Sequence, residues 1–319
     1  MGRALPPSQL NEELPEDIDE IILEAIDPRV DERTPSVEQF WKSLKACLRK
    51  RYKGNKVNEW REKKESKEAD DEGVSGIDPT TLRLQSRQVI LDFLRSSRSN
   101  QGLDLRGVDL SRVDFSDLDL EGVDLSEADL TGADLQDANL TRARLVSSNL
   151  TRANLKHANL EAADLTRATL DYADLTLVQG REANFHLATG QDVYASNANF
   201  HLASFQQVQF PQSTWFQATL TDVDFSEANL TEGQFWKANV SGSSFREANL
   251  KSAELREALL EGTIFENANL ETANLLDSSL KGTVFKGANC RKLAVNDEQL
   301  AEADTKGSKG LGLKRKWFG

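Results

Sequence analysis

Hydrophobic residues recur at every fifth position over most of the chain. From Leu105 onward this spacing defines 38 positions, here called centres, and Leu or Phe fills 32 of them. The exceptions are Gly180, Gly190, Ala195, Trp215, Val240 and Cys290. Two residues before each centre the chain always carries Ala, Val, Ser, Thr, Gly or Leu, and the residue in between is most often Asp or Asn. The other two positions are polar or charged, so two positions in five are candidates for a core.

A five-residue period matches neither an α-helix nor a regular strand. It predicts a chain that turns a corner every five residues and buries one bulky and one small side chain per side. Phe residues recur twenty apart, at 185, 205, 225, 245, 265 and 285. Four pentapeptides therefore make one coil, and the repeats give about 9.5 coils, a rod roughly 45 Å long at ~4.8 Å per stacked strand.

The runs ADLTGADLQDANLTRARL and ANLKHANLEAADL resemble the A(D/N)Lxx pattern of pentapeptide-repeat proteins. The resemblance extends over residues 101–290. It implies an all-β fold, a right-handed quadrilateral β-helix with turns at the corners. It does not imply one function, because members range from gyrase-protecting DNA mimics to bacterial developmental regulators and effectors.

Both ends of such a rod need caps, since an open coil exposes apolar core and unpaired backbone. Residues 79–100 are predicted to form a helical N-terminal cap, with Asp78 as N-cap and Pro79 in the first turn. Its apolar stripe is Leu82, Val89, Ile90, Phe93 and Leu94. Residues 291–305 are predicted to form a small C-terminal cap, with a short helix through DEQLAEA, and residues 306–319 a flexible basic tail.

Residues 1–78 form a mixed-charge extension without repeats, which we expect to be partly helical. A predicted helix starting at Thr34-Pro35 has a basic face, and the tail adds a second basic cluster. The basic residues are Lys42, Lys45, Arg49, Lys50, Arg51, Lys314, Arg315 and Lys316. Three interpretations stand: a solvated face, docking on the acidic rod, or peripheral contact with an acidic membrane or nucleic acid.

The net charge of −13 is concentrated in the repeats. Residues 101–290 carry 14 Lys and Arg against 28 Asp and Glu. Such a body argues against direct nucleic-acid binding there, because phosphate contacts need cations. The charge is compatible with a basic protein partner.

The first coils are the most acidic. Seven successive positions before the centre hold Asp: Asp104, Asp109, Asp114, Asp119, Asp124, Asp129 and Asp134. These carboxylates form either a DNA-like field for a basic partner or a structural set that bonds locally to the backbone at turns. The local interpretation is favoured, because the fold alone requires such residues.

Aromatic residues predicted to face outward gather in the middle of the rod. Phe216 and Trp236 each follow a centre and are twenty residues apart, so they should stack on adjacent coils. Tyr194 and Leu177 belong to the same face. Exposed aromatic clusters mark interaction sites. A protein partner could bind this cluster, or the N-terminal extension could fold back over it, and the two interpretations are equally favoured.

The middle coils also lose bulky centres at Gly180, Gly190 and Ala195, which leaves two structures open. Residues 186–195 form either a protruding loop or a continuous coil whose missing volume nearby Phe side chains fill. The small residues at Ala188 and Val193 keep the pattern and favour the continuous coil.

The sequence gives little support to catalysis. His157, His186 and His201 share no twenty-residue column, and no metal-ligand spacing, nucleophile motif or phosphate loop is present. Cys290 occupies a centre and is predicted to be core. We expect no enzyme activity, cofactor or metal. The absence of an apolar leader or membrane-length run predicts a cytoplasmic protein.

The sequence therefore predicts a non-enzymatic scaffold or regulator that binds a protein partner. Two alternatives remain at this stage: an acidic DNA mimic that binds gyrase or topoisomerase, and a structural component of a membrane-associated or multi-protein complex held through its termini. The oligomeric state stays open, with end-to-end pairing of coils as one option.

Overall fold

The computed structural model describes residues 82–311, except 84 and 98. The predictions for the extension at 1–78, for Asp78 and Pro79, and for the basic tail cluster at 314–316 lie outside these residues.

Within the described chain, the residue before each centre except Ser279 forms a parallel bridge with the residue twenty positions later. The bridges run from Asp104–Asp124 to Asn289–Lys309. Each coil therefore contains four pentapeptides, as the spacing of the Phe residues predicts. Strand pairing is limited to these single bridge residues, because the chain turns between them.

All five backbone N–H groups of a pentapeptide find a partner. In the first repeat, Leu105 and Gly107 donate to carbonyls of the next coil at 2.8 and 2.9 Å. Val108 donates across the turn to the Leu105 carbonyl. From the second coil onward the N–H of the bridge residue donates to the preceding coil, as Asp129 does to the Val108 carbonyl at 2.9 Å. The fifth group, Arg106 N–H, donates to the Asp104 carboxylate at 3.1 Å. The backbone N–H of the residue after the centre has no carbonyl partner, and the Asp or Asn side chain before the centre accepts its hydrogen bond.

The core is built from stacked columns. Every centre is buried, and so is every residue two positions before a centre except the half-buried Val108 and Leu118. The predicted Phe column is present: Phe185 stacks on Phe205 with ring centroids 4.5 Å apart, and the stack continues to Phe285.

The middle coils are continuous, as the favoured interpretation predicts. Thr189 bridges Thr169 and Gln209, and Tyr194 bridges Asp174 and Thr214, so no loop interrupts residues 186–195. The Phe200 ring fills the space that Gly180 leaves, because a Cβ at Gly180 would lie 2.3 Å from that ring.

The N-terminal cap contains helix α1, Arg87–Ser96, which begins later than predicted. Its N-cap is Ser86, whose hydroxyl accepts a hydrogen bond from Val89 N–H at 3.4 Å. From the predicted stripe, Leu82, Ile90 and Leu94 are buried. Leu91 is also buried, which the prediction missed, because the helix turns this residue toward the first coil as well.

The C-terminal boundary at 290 is wrong by about one coil. Ala294, Asp304 and Lys309 all bridge the preceding coil, so residues 306–309 belong to the rod and not to a tail. Helix α2, Asp297–Leu300, replaces one side of this last coil and is shorter than the predicted helix. The five-residue pattern is broken here by Glu298, two residues before a centre, and by Thr305 and Gly310 at centre positions, so the repeat is hard to recognise in the sequence.

Candidate functional site

One side of the solenoid carries the predicted aromatic cluster, and we call it the aromatic face. Its bridge residues follow the twenty-residue column: Asp114, Asp134, Asn154, Asp174, Tyr194, Thr214, Gln234, Glu254 and Asn274. Each coil leaves this face through a two-residue corner. The first corner residue is Phe216 in one coil and Trp236 in the next.

Phe216 and Trp236 are in contact. Their ring centroids are 5.1 Å apart with planes tilted by 45°, and both side chains are half-buried. The backbone explains this contact, because Gln217 N–H donates to the Trp236 carbonyl and fixes one corner above the other. Among the ring pairs of the described residues, this is the one outside the core.

Charged neighbours hold Trp236 in place. Its indole N–H donates to Glu257 Oε1 at 3.2 Å, and Lys237 pairs with the same carboxylate at 3.5 Å. Lys237 Nζ lies 4.7 Å from the ring centroid and the Arg256 guanidinium 5.9 Å, both within cation–π range. The sequence analysis missed these three residues, although Arg256 is twenty positions from Trp236 and therefore directly above it.

The other two predicted members lie on earlier coils. Tyr194 is 46% exposed and Leu177 is 38% exposed, so both present apolar surface to solvent. A further residue, Tyr172, was not predicted; it is 44% exposed at the corner that leads onto this face, with the Arg152 guanidinium 5.7 Å from its ring. The structure therefore places five large apolar side chains on or beside four successive coils.

The seven Asp side chains of the first coils act on their own backbone. Each accepts a hydrogen bond from the N–H two residues later, as Asp119 does from Glu121 at 3.2 Å. These seven Asp residues, here called the Asp ladder, therefore have the structural role favoured in the sequence analysis, in which the carboxylates bond locally to the backbone at turns.

Arginines of the N-terminal cap neutralise part of this ladder, which the sequence analysis did not predict. Arg83 pairs with Asp104 at 3.2 Å, Arg87 pairs with Asp109, and Arg95 lies 3.5 Å from Asp114. Their spacing of four and eight residues, which places them on one side of a helix, was the available signal.

Hydrogen bonds lower the pKa values of these three carboxyls. The Arg106 side chain holds the pKa of Asp104 well below its usual range, with Arg83 adding to the effect. Ser111 and then Arg87 lower the pKa of Asp109. Ser116, with a smaller contribution from Arg95, lowers that of Asp114. The first coils are therefore anionic at neutral pH but partly paired.

The cysteine and histidine residues of the described chain lie apart from one another. The described residues contain no cluster of His, Cys, Asp or Glu that could hold a metal ion. Cys290 is buried, and burial raises the pKa of its thiol to about 12, which keeps it protonated and unreactive. His201 Nδ1 lies 2.8 Å from the Thr221 hydroxyl and His157 is on another corner, so the histidines form no common site. Neither helix of the described chain is long and apolar enough to cross a membrane.

Several solved structures are similar to this chain. HetL, a pentapeptide repeat protein involved in heterocyst differentiation regulation from the cyanobacterium Nostoc sp. strain PCC 7120, is 23% identical. That match covers 70% of this chain and 94% of HetL, with a TM-score of 0.37. QnrB1, a plasmid-mediated fluoroquinolone resistance protein, is 16% identical over 61% of this chain and 92% of its own, with a TM-score of 0.33. A pentapeptide repeat protein from the Arabidopsis thaliana thylakoid lumen is 25% identical over 40% and 71%, with a TM-score of 0.13.

No curated protein matches the chain. The family comparison is more specific. The pentapeptide repeats family matches in 8 copies within residues 101–189, and the pentapeptide repeat region family matches residues 210–285. These matches cover just over half of the chain and follow the coils seen in the structure, so the chain belongs to the pentapeptide-repeat family.

Proposed function

We propose that this chain is a non-enzymatic interaction scaffold or regulator that binds a protein partner through its aromatic face. The observation that carries the proposal is the Phe216–Trp236 pair, whose position is fixed by Glu257 and Lys237. Aromatic side chains that are ordered before binding lose little conformational entropy on association, which makes them effective anchors. Tyr194 and Leu177 extend the same surface over earlier coils.

The test compares partner capture by the full-length protein and by the Phe216→Ala/Trp236→Ala variant, from a native lysate. We expect the variant to lose a partner that the wild-type protein retains. Leu259→Ala is the matched control, because Leu259 is 47% exposed on a different side of the solenoid. Equal thermal unfolding of all three proteins shows that the rod is intact. An unchanged set of partners in the double variant contradicts the proposal.

The acidic alternative, a DNA mimic that binds gyrase or topoisomerase, has weaker support. It rests on the net charge of residues 101–290, but three Asp of the first coils are paired with cap arginines and all seven hold backbone amides. A supercoiling assay separates the two proposals, since a mimic inhibits or protects the enzyme in a salt-sensitive way. The third alternative, attachment through the termini, depends on residues outside the described chain.

A further inference from the structure

The charges on the aromatic face of the four middle coils are nearly all negative. We define this region as residues 171–177, 191–197, 211–217 and 231–237. It contains four acids and a single base, Lys237, which is already paired with Glu257. One of the acids, Asp174, is paired with Lys156 at 3.0 Å.

The other three acids lie together at the corner that leads onto the face, and we call them the acidic edge. They are Asp171, Asp192 and Glu232. Within the described chain none of them has a Lys or Arg at ion-pair distance. Their contacts are hydrogen bonds instead: Asp171 accepts from Gln191 N–H at 2.8 Å, and Glu232 accepts from the Gln212 side chain at 3.0 Å. The acidic edge therefore keeps its charge available to a partner.

The apolar side chains lie mainly on the other side of this edge. Leu177, Phe216 and Trp236 occupy the corner by which the chain leaves the face, and Tyr194 lies between the two corners. The opposite corner thus offers unneutralised carboxylates beside the Tyr172 ring, while the face and its exit corner offer rings and an aliphatic side chain. The surface is divided lengthwise into an apolar strip and an anionic strip.

We infer that the occupant of this surface is a protein segment with an apolar stripe and Lys or Arg residues along one flank. The inference rests on the proposed function and specifies the chemistry of the partner. The four coils span about 14 Å at ~4.8 Å per coil. A helical segment of about 10 residues has that length at 1.5 Å per residue. Its apolar stripe would cover the rings, and its basic flank would face the acidic edge.

Charge complementarity selects this class over acidic partners. A segment with acidic flanks, a nucleic acid or an anionic lipid surface would place like charges against Asp171, Asp192 and Glu232, which costs binding free energy. A basic flank is attracted to the edge and orients the segment, so the complex should form faster at low salt.

The experiment selects peptides from a randomised display library on the purified full-length protein, with the Phe216→Ala/Trp236→Ala variant used to remove peptides that bind elsewhere. We expect the retained peptides to combine aromatic or aliphatic residues with Lys or Arg on one flank. A synthetic peptide from this set should bind about tenfold more weakly to the Asp171→Asn/Asp192→Asn/Glu232→Gln variant, since each exposed pair contributes only a fraction of the affinity.

The matched control is Glu227→Gln/Glu247→Gln/Glu261→Gln, which removes three exposed acids from other corners. Glu227 accepts a hydrogen bond from Gln207 much as Glu232 does from Gln212, and both variants remove three negative charges, so they differ mainly in location. This control should bind the peptide like the wild-type protein.

The outcomes separate the inference from the proposed function. Peptides that need the two rings but are acidic or uncharged, or that ignore the acidic-edge variant, overturn the inference and leave the aromatic face as a binding site. Ring-dependent binding of a single-stranded oligonucleotide or of phosphatidylserine vesicles also overturns the inference. A selection that yields no ring-dependent peptide overturns both.

Discussion

The indole N–H of Trp236 donates to the carboxylate of Glu257 in the next coil, with 3.2 Å between Nε1 and Oε1. This bond fixes a half-buried ring on the outside of the solenoid, where an unrestrained side chain would populate several rotamers. Glu257 is therefore a positioning residue for the proposed partner site.

Replacing Glu257 by Ala should release the Trp236 ring. We expect faster hydrogen exchange of the Trp236 indole N–H and weaker partner binding, with little change in the free energy of unfolding because both residues are near the surface. Indole N–H signals in NMR spectra measure this. Trp215 provides the internal control, since its indole N–H donates to the buried Ser213 hydroxyl at 2.7 Å. Unchanged exchange at Trp236 contradicts the positioning role.

Gly180 should not tolerate a larger residue while Phe200 is present. A Cβ at position 180 meets the Phe200 ring at 2.3 Å, so Gly180→Ala is expected to lower the free energy of unfolding by about 1–3 kcal/mol through overpacking. The Gly180→Leu/Phe200→Leu variant recreates the Leu column of the first coils and should regain most of that loss. Calorimetric melting of the wild-type protein and the two variants measures these changes in stability. A double variant less stable than Gly180→Ala contradicts this packing.

The second residue of each corner has a left-handed backbone conformation, and at one of these corners that residue is Gly262. A residue with a side chain is strained in this conformation. The φ of Gly262 is +67°, and a Cβ there meets nothing within 4 Å, so only backbone strain opposes substitution. Gly262→Val should lower the free energy of unfolding by about 1–2 kcal/mol. Gly262→Asn should lose less, because Asn adopts this conformation more readily. Equal losses measured by denaturant unfolding would rule out a backbone cause.

Acid should destabilise the first coils together with the N-terminal cap whose arginines pair with them. The folded-state pKa values of Asp104, Asp109 and Asp114 are lowered. Ionised carboxylates therefore stabilise the folded form above the unfolded-chain value of about pH 4, and this contribution is lost as pH falls through the lower folded values. Hydrogen exchange of α1 should accelerate over that acid range.

Arg87→Gln/Arg95→Gln should loosen α1 at neutral pH, because the two substitutions remove ion pairs to Asp109 and Asp114 of the first coils. Arg246→Gln, which breaks a 2.7 Å pair with Glu266 far along the chain, is the control. Exchange of α1 that is insensitive to the double variant would mean that apolar packing alone attaches the cap.

The repeat itself could be predicted almost completely from the sequence. The five-residue rule and the spacing of the Phe residues fix the coil, the core columns and the Phe216–Trp236 contact, because every coil repeats the same backbone and residues twenty apart must stack. Interactions between unlike segments could not be predicted in this way. Arg87 reaches Asp109 only because α1 lies against the first coils, and no periodicity encodes that placement.

The ends of the rod show a second limit. The last coil substitutes α2 for one side and has Thr305 and Gly310 at its final centre positions, yet its bridges continue to Lys309. The residues that support Trp236 follow the twenty-residue spacing, since Arg256 and Glu257 lie twenty positions after Trp236 and Lys237. The spacing shows that these residues are close together, but only the side-chain geometry shows which of them contact the ring. The basic segments at 42–51 and 314–316 remain sequence predictions.

The four-sided coil also restricts how this chain can change length in evolution. An insertion of five residues preserves the hydrophobic period and the core, but it rotates every later side by a quarter turn. Placed between Tyr194 and Phe216, it would leave a foldable rod with its aromatic residues on two different sides. Only the gain or loss of twenty residues keeps the surface in register, so length variants that conserve binding should differ by whole coils.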